Sequence, residues 1–297
     1  SIPGRRRTVP DPDVLSLSRA ALQCGVSNTT IERLVASGLL PKEQVVPFAP
    51  WEMQRADLEA EPVRGIIDRL RETGIDPVFS HMPYLPNLST PDPVNHRKSI
   101  DTLKAEIGKC KRLGIRYLVT HLGSHLGSGP ERGMERVVEA LNHVNAEFDE
   151  TPIMLLENTS GKTNEVGSTF KEIGRIIDRA ESDRVGLCLD TCHAYTRGYD
   201  IATRRGLSDA LEELDSHVGL DRLHLVHLND ARDPLGSRLD RHEHIGLGNI
   251  GEEGFRVILG SVLREVPMVM ETPMDERRAD GGNMWKAMEL AGLDVDE

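Results

Sequence analysis

One pattern repeats along most of this chain and limits what it can fold into. From residue 62 onward a short apolar run ends in a residue that binds metals, a loop follows, and then an amphipathic stretch. The runs are 76–81 (DPVFSH), 115–121 (IRYLVTH), 152–157 (PIMLLE), 185–190 (VGLCLD), 222–227 (RLHLVH) and 267–271 (PMVME). Their last residues, His81, His121, Glu157, Asp190, His227 and Glu271, follow one another at intervals of 33 to 44 residues. A strand, a crossover helix and two connections need about 30 residues or more. Continuous apolar strands alternating with helices predict a parallel sheet covered by helices. Helices are expected over 97–113, ended by Gly114, and over 131–145, 170–180 and 284–291.

In a (β/α)8 barrel the C-terminal rim of the strands carries the active site, because the loops after the strands converge there. One polar residue at a strand end is ordinary. Six in register would point into one bowl. Further donors adjoin them: Asp190 and His193 are three residues apart, and Asp240 and His242 are two apart, ahead of a turn-rich IGLGNIG. Five imidazoles and four carboxylates suit zinc or manganese better than magnesium, which takes mainly oxygen ligands. Nine donors are too many for one ion; with one bridging carboxylate they suffice for three. Cys188 and Cys192 could form a zinc-binding pair, but packing is the default for such cysteines.

A length of 297 residues accommodates one barrel of about 250 residues with something small beside it. Four cysteines in such a chain are no disulfide framework. There is no apolar run of about 18 residues, and residues 1–30 hold no secretory apolar stretch, so the expectation is a cytoplasmic protein off the membrane. A net charge of −12 argues against coating nucleic acid by bulk charge. It is compatible with a nucleic-acid enzyme whose bound cations supply the local positive field.

The segments SHMPYLPNLS, THLGSH, LENTSG, LDTCHAY, GYD, HLND, GSRLDRHEHIGLGNIG and MET run in order over 80–272. Together they resemble the endonuclease IV family of trinuclear-zinc apurinic/apyrimidinic endonucleases, over about 62–290. The resemblance implies His81, His121 and Glu157 around a first ion. Glu157 (bridging), Asp190, His227 and Glu271 would surround a second, and His193, Asp240 and His242 a third. All would be zinc, with manganese admissible in one site, and Glu157 and Glu271 would be the catalytic carboxylates. The implied partner is double-stranded DNA containing abasic sites, cut by a monomer on the 5′ side to leave a 3′-hydroxyl and a 5′-deoxyribose phosphate, with trimming of blocked 3′ ends. Tyr84 and Leu85 would enter the DNA at the lesion, with Asn87 and Arg241 as weaker backbone contacts; loop packing and a solvated charge are the alternatives. Leu122 and Leu247 stand where the family usually has proline and glutamate.

Residues 1–61 depart from that family, whose first two strands are not found in them. They read instead as a small helix-turn-helix-like region, with helices over 15–24 and 29–36 and a β-rich tail over 44–54. The expected fold is therefore α/β: a TIM (β/α)8-type barrel over 62–297, short of its first two strands, after an atypical segment 1–61. In the alternative, Val45–Phe48 is the second barrel strand and the helices patch the barrel. Two other functions compete: a xylose-isomerase-like sugar isomerase or epimerase, and a DNA-binding fusion protein with an inactive barrel. The missing strands imply reduced or absent incision even with every zinc ligand present.

Overall fold

A computed structural model describes residues 76–148, 152–273 and 275–293, the backbone of 14–16 and 52–54, and positions 65, 68, 69, 72 and 74. The chain forms two compact units, 1–83 and 84–297. In the first, β1 (Val14–Ser16) pairs antiparallel with β2 (Glu52–Gln54), in register Leu15↔Met53. Leu15 and Ser16, expected to open a helix, are thus in extended backbone. The rest of the helix-turn-helix reading, and Val45–Phe48, lie outside the described residues. The unit ends with β3 (Phe79–His81).

The second unit alternates strand and helix. α1 (Pro93–Leu113) leads to β4 (Tyr117–Thr120), α2 (Pro130–Glu147) to β5 (Ile153–Glu157), and α3 (Phe170–Arg179) to β6 (Val185–Asp190). Then come α4 (Thr191–Arg197), α5 (Arg204–His217) and β7 (Leu223–His227). A small antiparallel pair, β8 (Asp230–Ala231) with β9 (His242–Glu243), precedes α6 (Gly251–Leu259), β10 (Met268–Val269) and α7 (Asp280–Leu290). Strands β4, β5, β6, β7 and β10 pair in that order, all parallel. This is the TIM-barrel arrangement, with five of the six expected strands in this unit and the sixth, β3, closing the first.

Local chemistry explains the elements. Strand β6 is buried along its whole length, so it reads as a continuous apolar run. Helix α1 starts at Asp92, whose carboxylate accepts from the amides of Val94 and Asn95, and it ends at Gly114, where φ is +67°. Its buried face holds Ile100, Leu103, Ile107 and Cys110, at helical spacing. Thr169 and Thr203 cap α3 and α5 in the same way as Asp92. Among the described residues no helix is long and apolar enough to cross a membrane.

Candidate metal centre

Strand ends deliver the donors. Glu157, Asp190 and His227 are the last residues of β5, β6 and β7. His121 follows β4 directly, His242 opens β9, and Glu271 lies two residues beyond β10. His193 is the third residue of α4, a segment read from sequence as a loop. The helix forms because Asp190 caps it, accepting from the His193 amide at 2.6 Å. In the first unit His81 ends β3, with Nδ1 donating to its neighbour's carbonyl, that of Met82, at 2.7 Å.

In the second unit the donors form three groups around shared carboxylates. His121 Nδ1 lies 3.2 Å from Glu157 Oε2, which makes the first. In the second, donor atoms of Glu157, Asp190, His227 and Glu271 all fall within 4.8 Å of one another. Here His227 Nδ1 is 3.2 Å from both Glu157 Oε1 and Glu271 Oε2. The third joins Asp190, His193 and His242 within the same limit. Asp240 Oδ1 completes it, 3.0 Å from His193 Nε2 and 3.6 Å from His242 Nε2. Asp190, expected only in the second group, therefore borders the third as well. Three clusters of His, Asp and Glu donors can thus hold metal ions, the number of zinc sites expected from sequence.

The residues fit metal ions on their own terms. His242 Nδ1 donates to the Glu271 carbonyl at 3.0 Å, which leaves a lone pair on Nε2. That Nε2 is buried without a hydrogen-bond partner, 3.7 Å from Asp190 Oδ2. An imidazole lone pair aimed between two carboxylates is a cation site with its tautomer already fixed. His193 is oriented similarly, through Nδ1 to the Asn158 carbonyl at 2.9 Å.

The field is strongly anionic. Burial disfavours charge on His193, but Asp190, Asp240 and Glu157 outweigh it and push the imidazole up to about 10. Burial likewise opposes charge on His227, and Cys188 and Glu157 raise it well above the ordinary range. Burial raises Asp240, yet His193, Lys162 and His242 hold it below the usual carboxylate range. A raised imidazole keeps its proton through neutral pH, and a ligand must shed it. Zinc added to metal-free protein at about pH 7.5 is therefore expected to release about one proton or more per chain. Calorimetry in buffers of different ionisation enthalpy reads this directly; heats independent of buffer would refute it.

Several residues that hold the donors were not singled out from sequence. Asn158 accepts from the Asp190 amide and donates to the Asp190 carbonyl. Thr191 Oγ1 donates to the Asn229 carbonyl at 2.7 Å. Asn229 Nδ2 donates to Asp190 Oδ2 and Asn229 Oδ1 accepts from the Glu271 amide, both at 2.7 Å, so one amide ties two ligand-bearing strands. Asp230 accepts from five backbone amides of the segment that carries Asp240 and His242. The available signal was position: the asparagines directly follow a strand-end donor or its neighbour. Asn229→Ala is expected to weaken zinc binding by about 10–100-fold, measured by competition with a chelator. Unchanged competition would show that Asn229 does not order the ligands.

The cysteines pack. Cys188 and Cys192 are buried and free, and Cys192 donates to the Arg241 carbonyl at 3.6 Å. Burial pushes the Cys188 thiol up to about 12, unlike the thiolate that zinc requires. Tyr84 and Leu85 are 71% and 89% exposed, and the Tyr84 ring meets His121 edge-on at 5.5 Å. Asn87 instead uses its amide internally, accepting from Ser89 and Ser124 amides and donating to the Ser124 carbonyl. Arg241 grips Asp233 through two nitrogens, at 2.8 and 2.6 Å. Leu122 is fully buried, whereas Leu247 is exposed.

Residues 44–289 match the family described as xylose isomerase-like TIM barrel. A protein of Methanoculleus marisnigri named probable endonuclease 4 is 52% identical over 223 residues, 74% of this chain and 79% of that protein. The crystal structure of endonuclease IV from Thermus thermophilus superposes with a TM-score of 0.64 at 32% identity, covering 89% of this chain and 92% of that one. A D-tagatose 3-epimerase-like protein shares the fold, with a TM-score of 0.60 at 17% identity, over 78% of this chain and 84% of that one.

Proposed function

This chain belongs to the endonuclease IV family, and from that premise we propose that it hydrolyses the phosphodiester 5′ to apurinic/apyrimidinic sites in double-stranded DNA. The products are a 3′-hydroxyl and a 5′-deoxyribose phosphate, and the same centre trims blocked 3′ ends. The observation that carries this reading is the third group. His193, Asp240 and His242 add a further set of donors beside those around Glu157. One or two ions serve a sugar isomerase or epimerase of this fold, and such an enzyme has no use for that set.

His81, His121 and Glu157 are assigned to one ion, Glu157, Asp190, His227 and Glu271 to a second, and His193, Asp240 and His242 to a third. Zinc suits these mixed nitrogen and oxygen donors, with manganese admissible in one position. Bound there, the ions supply Lewis-acid polarisation of the phosphate and of the attacking water. Glu157, fully buried, faces His121 and His227 together and would be the residue shared by the first two ions. The Glu271 side chain is 40% exposed, and its carboxylate would accept a proton from the attacking water. His242 keeps Nε2 free for ligation because a carbonyl holds its Nδ1 proton, and His193 would give up the Nε2 proton that now faces Asp240. Tyr84 and Leu85 stand out from the surface where a missing base lowers the cost of unstacking. All nine donors belong to one chain, so a monomer suffices.

The test is incision of an abasic-site duplex, with metal content measured on the same sample. Cutting on the 5′ side, lost on chelation and restored by zinc, is the expected result. Duplex binding without cutting by the zinc-loaded protein would favour an inactive barrel. Ketose interconversion by that sample would favour the epimerase reading.

A further inference from the structure

Lys162 lies in the loop that leaves β5, a few residues beyond Glu157. That loop is fixed at several points. The Lys162 amide donates to Glu165 Oε2 at 2.9 Å, and the Glu165 amide returns to the Lys162 carbonyl at 3.0 Å. The His125 amide donates to the Asn164 carbonyl at 2.8 Å, and the Val166 amide to the Gly123 carbonyl at 3.0 Å, which ties the loop to the one after β4. The Lys162 ammonium reaches out of this frame to Asp240 Oδ2 at 3.1 Å. Asp240 turns its other oxygen, Oδ1, toward His193 and His242.

An ammonium has three N–H donors. Asp240 takes one, and among the described residues no other hydrogen bond engages Nζ. The side chain is 37% exposed. A lysine on an open surface samples many rotamers and forfeits that freedom on binding. This one is already held beside the third group by its ion pair with Asp240.

We propose that Lys162 is a substrate-contacting residue, which uses its free donors to bind a non-bridging oxygen of a DNA backbone phosphate at the mouth of the metal centre. This rests on the reading of the substrate as abasic duplex. It assigns Asp240 a second task, anchoring the cation that meets the substrate. The contact is sequence-independent, as phosphate contacts are.

The test compares the zinc-loaded wild type with Lys162→Gln and Lys162→Arg. The probe is a duplex with a tetrahydrofuran abasic analogue whose 5′ linkage carries a methylene in place of O3′, so that it keeps its charge and cannot be cut. Lys162→Gln is expected to bind about tenfold more weakly at low salt, and to lose about one unit from the slope of log affinity against log salt. Lys162→Arg is expected to keep the slope, and all three proteins to carry the same zinc content. An unchanged slope in Lys162→Gln overturns the proposal. So does loss of zinc from that variant, which would make Lys162 a residue that acts through Asp240 alone. A wild type that ignores abasic duplex in both binding and incision overturns the substrate reading, and this proposal with it. A wild type that binds and cuts, with an unchanged slope in the variant, sinks the lysine contact only.

Discussion

Glu157→Gln is expected to lower incision of an abasic-site duplex by on the order of 10³-fold while the chain still folds. Lewis-acid stabilisation at such a centre is worth several kcal/mol, and each 1.36 kcal/mol is a factor of ten. Glu157 is fully buried, and its two oxygens face His121 at 3.2 Å, His227 at 3.2 Å and His193 at 3.5 Å. Glutamine keeps the shape but removes the charge, and it turns one acceptor into a donor that faces an imidazole. The ions that Glu157 joins should therefore be lost, while the group of His193, Asp240 and His242 keeps its own. Incision and zinc content, measured together with near-ultraviolet circular dichroism, decide this. Native dichroism with incision within tenfold of wild type and unchanged zinc would mean that the carboxylate is not the bridge.

The donors were legible in the sequence because strand ends are. The limits of β6 match the apolar run 185–190, since burial on both faces leaves a continuous signal. β10 does not match. Its run extends to Glu271, yet the ladder stops at Val269. The Glu271 amide is taken by Asn229 and the Glu271 carbonyl by His242, so neither can serve the sheet. Helix α4 was readable in principle, because Asp190 is a good cap three residues before the amide it binds. What the sequence hid is the layer that orients the donors. Thr191 to Asn229 spans 38 residues, and Asn229 to Glu271 spans 42. Such hydrogen bonds leave no local period to read. The β8–β9 pair was hidden for the same reason, since it depends on where Asp230 finds its amides.

Asp230→Ala should remove the third group's support without touching a ligand. The Asp230 carboxylate is buried, and every hydrogen bond it accepts among the described residues comes from backbone. Oδ1 takes the amides of Ala231, Ile250 and Gly251 at 2.8, 3.0 and 3.4 Å, and Oδ2 takes those of Gly246 and Gly248 at 2.9 Å each. These contacts close residues 231–251 into a loop that carries Asp240 and His242. Close approach is part of the arrangement: a Cβ on Gly248 would overlap the Ala231 carbonyl and come within 2.5 Å of Asp230 Oδ1. Each buried amide left without a partner costs about 1–3 kcal/mol, and water can reach some of them, so a net loss of about 3 kcal/mol or more is expected. Asp230→Asn keeps an acceptor oxygen and should fall between wild type and alanine. Melting in the presence of chelator isolates the loop from the metals. Zinc titration then shows whether affinity falls at the third group while the positions around Glu157 keep theirs. If Asp230→Ala melts with wild type and binds zinc as wild type does, the segment is ordered by something other than this carboxylate.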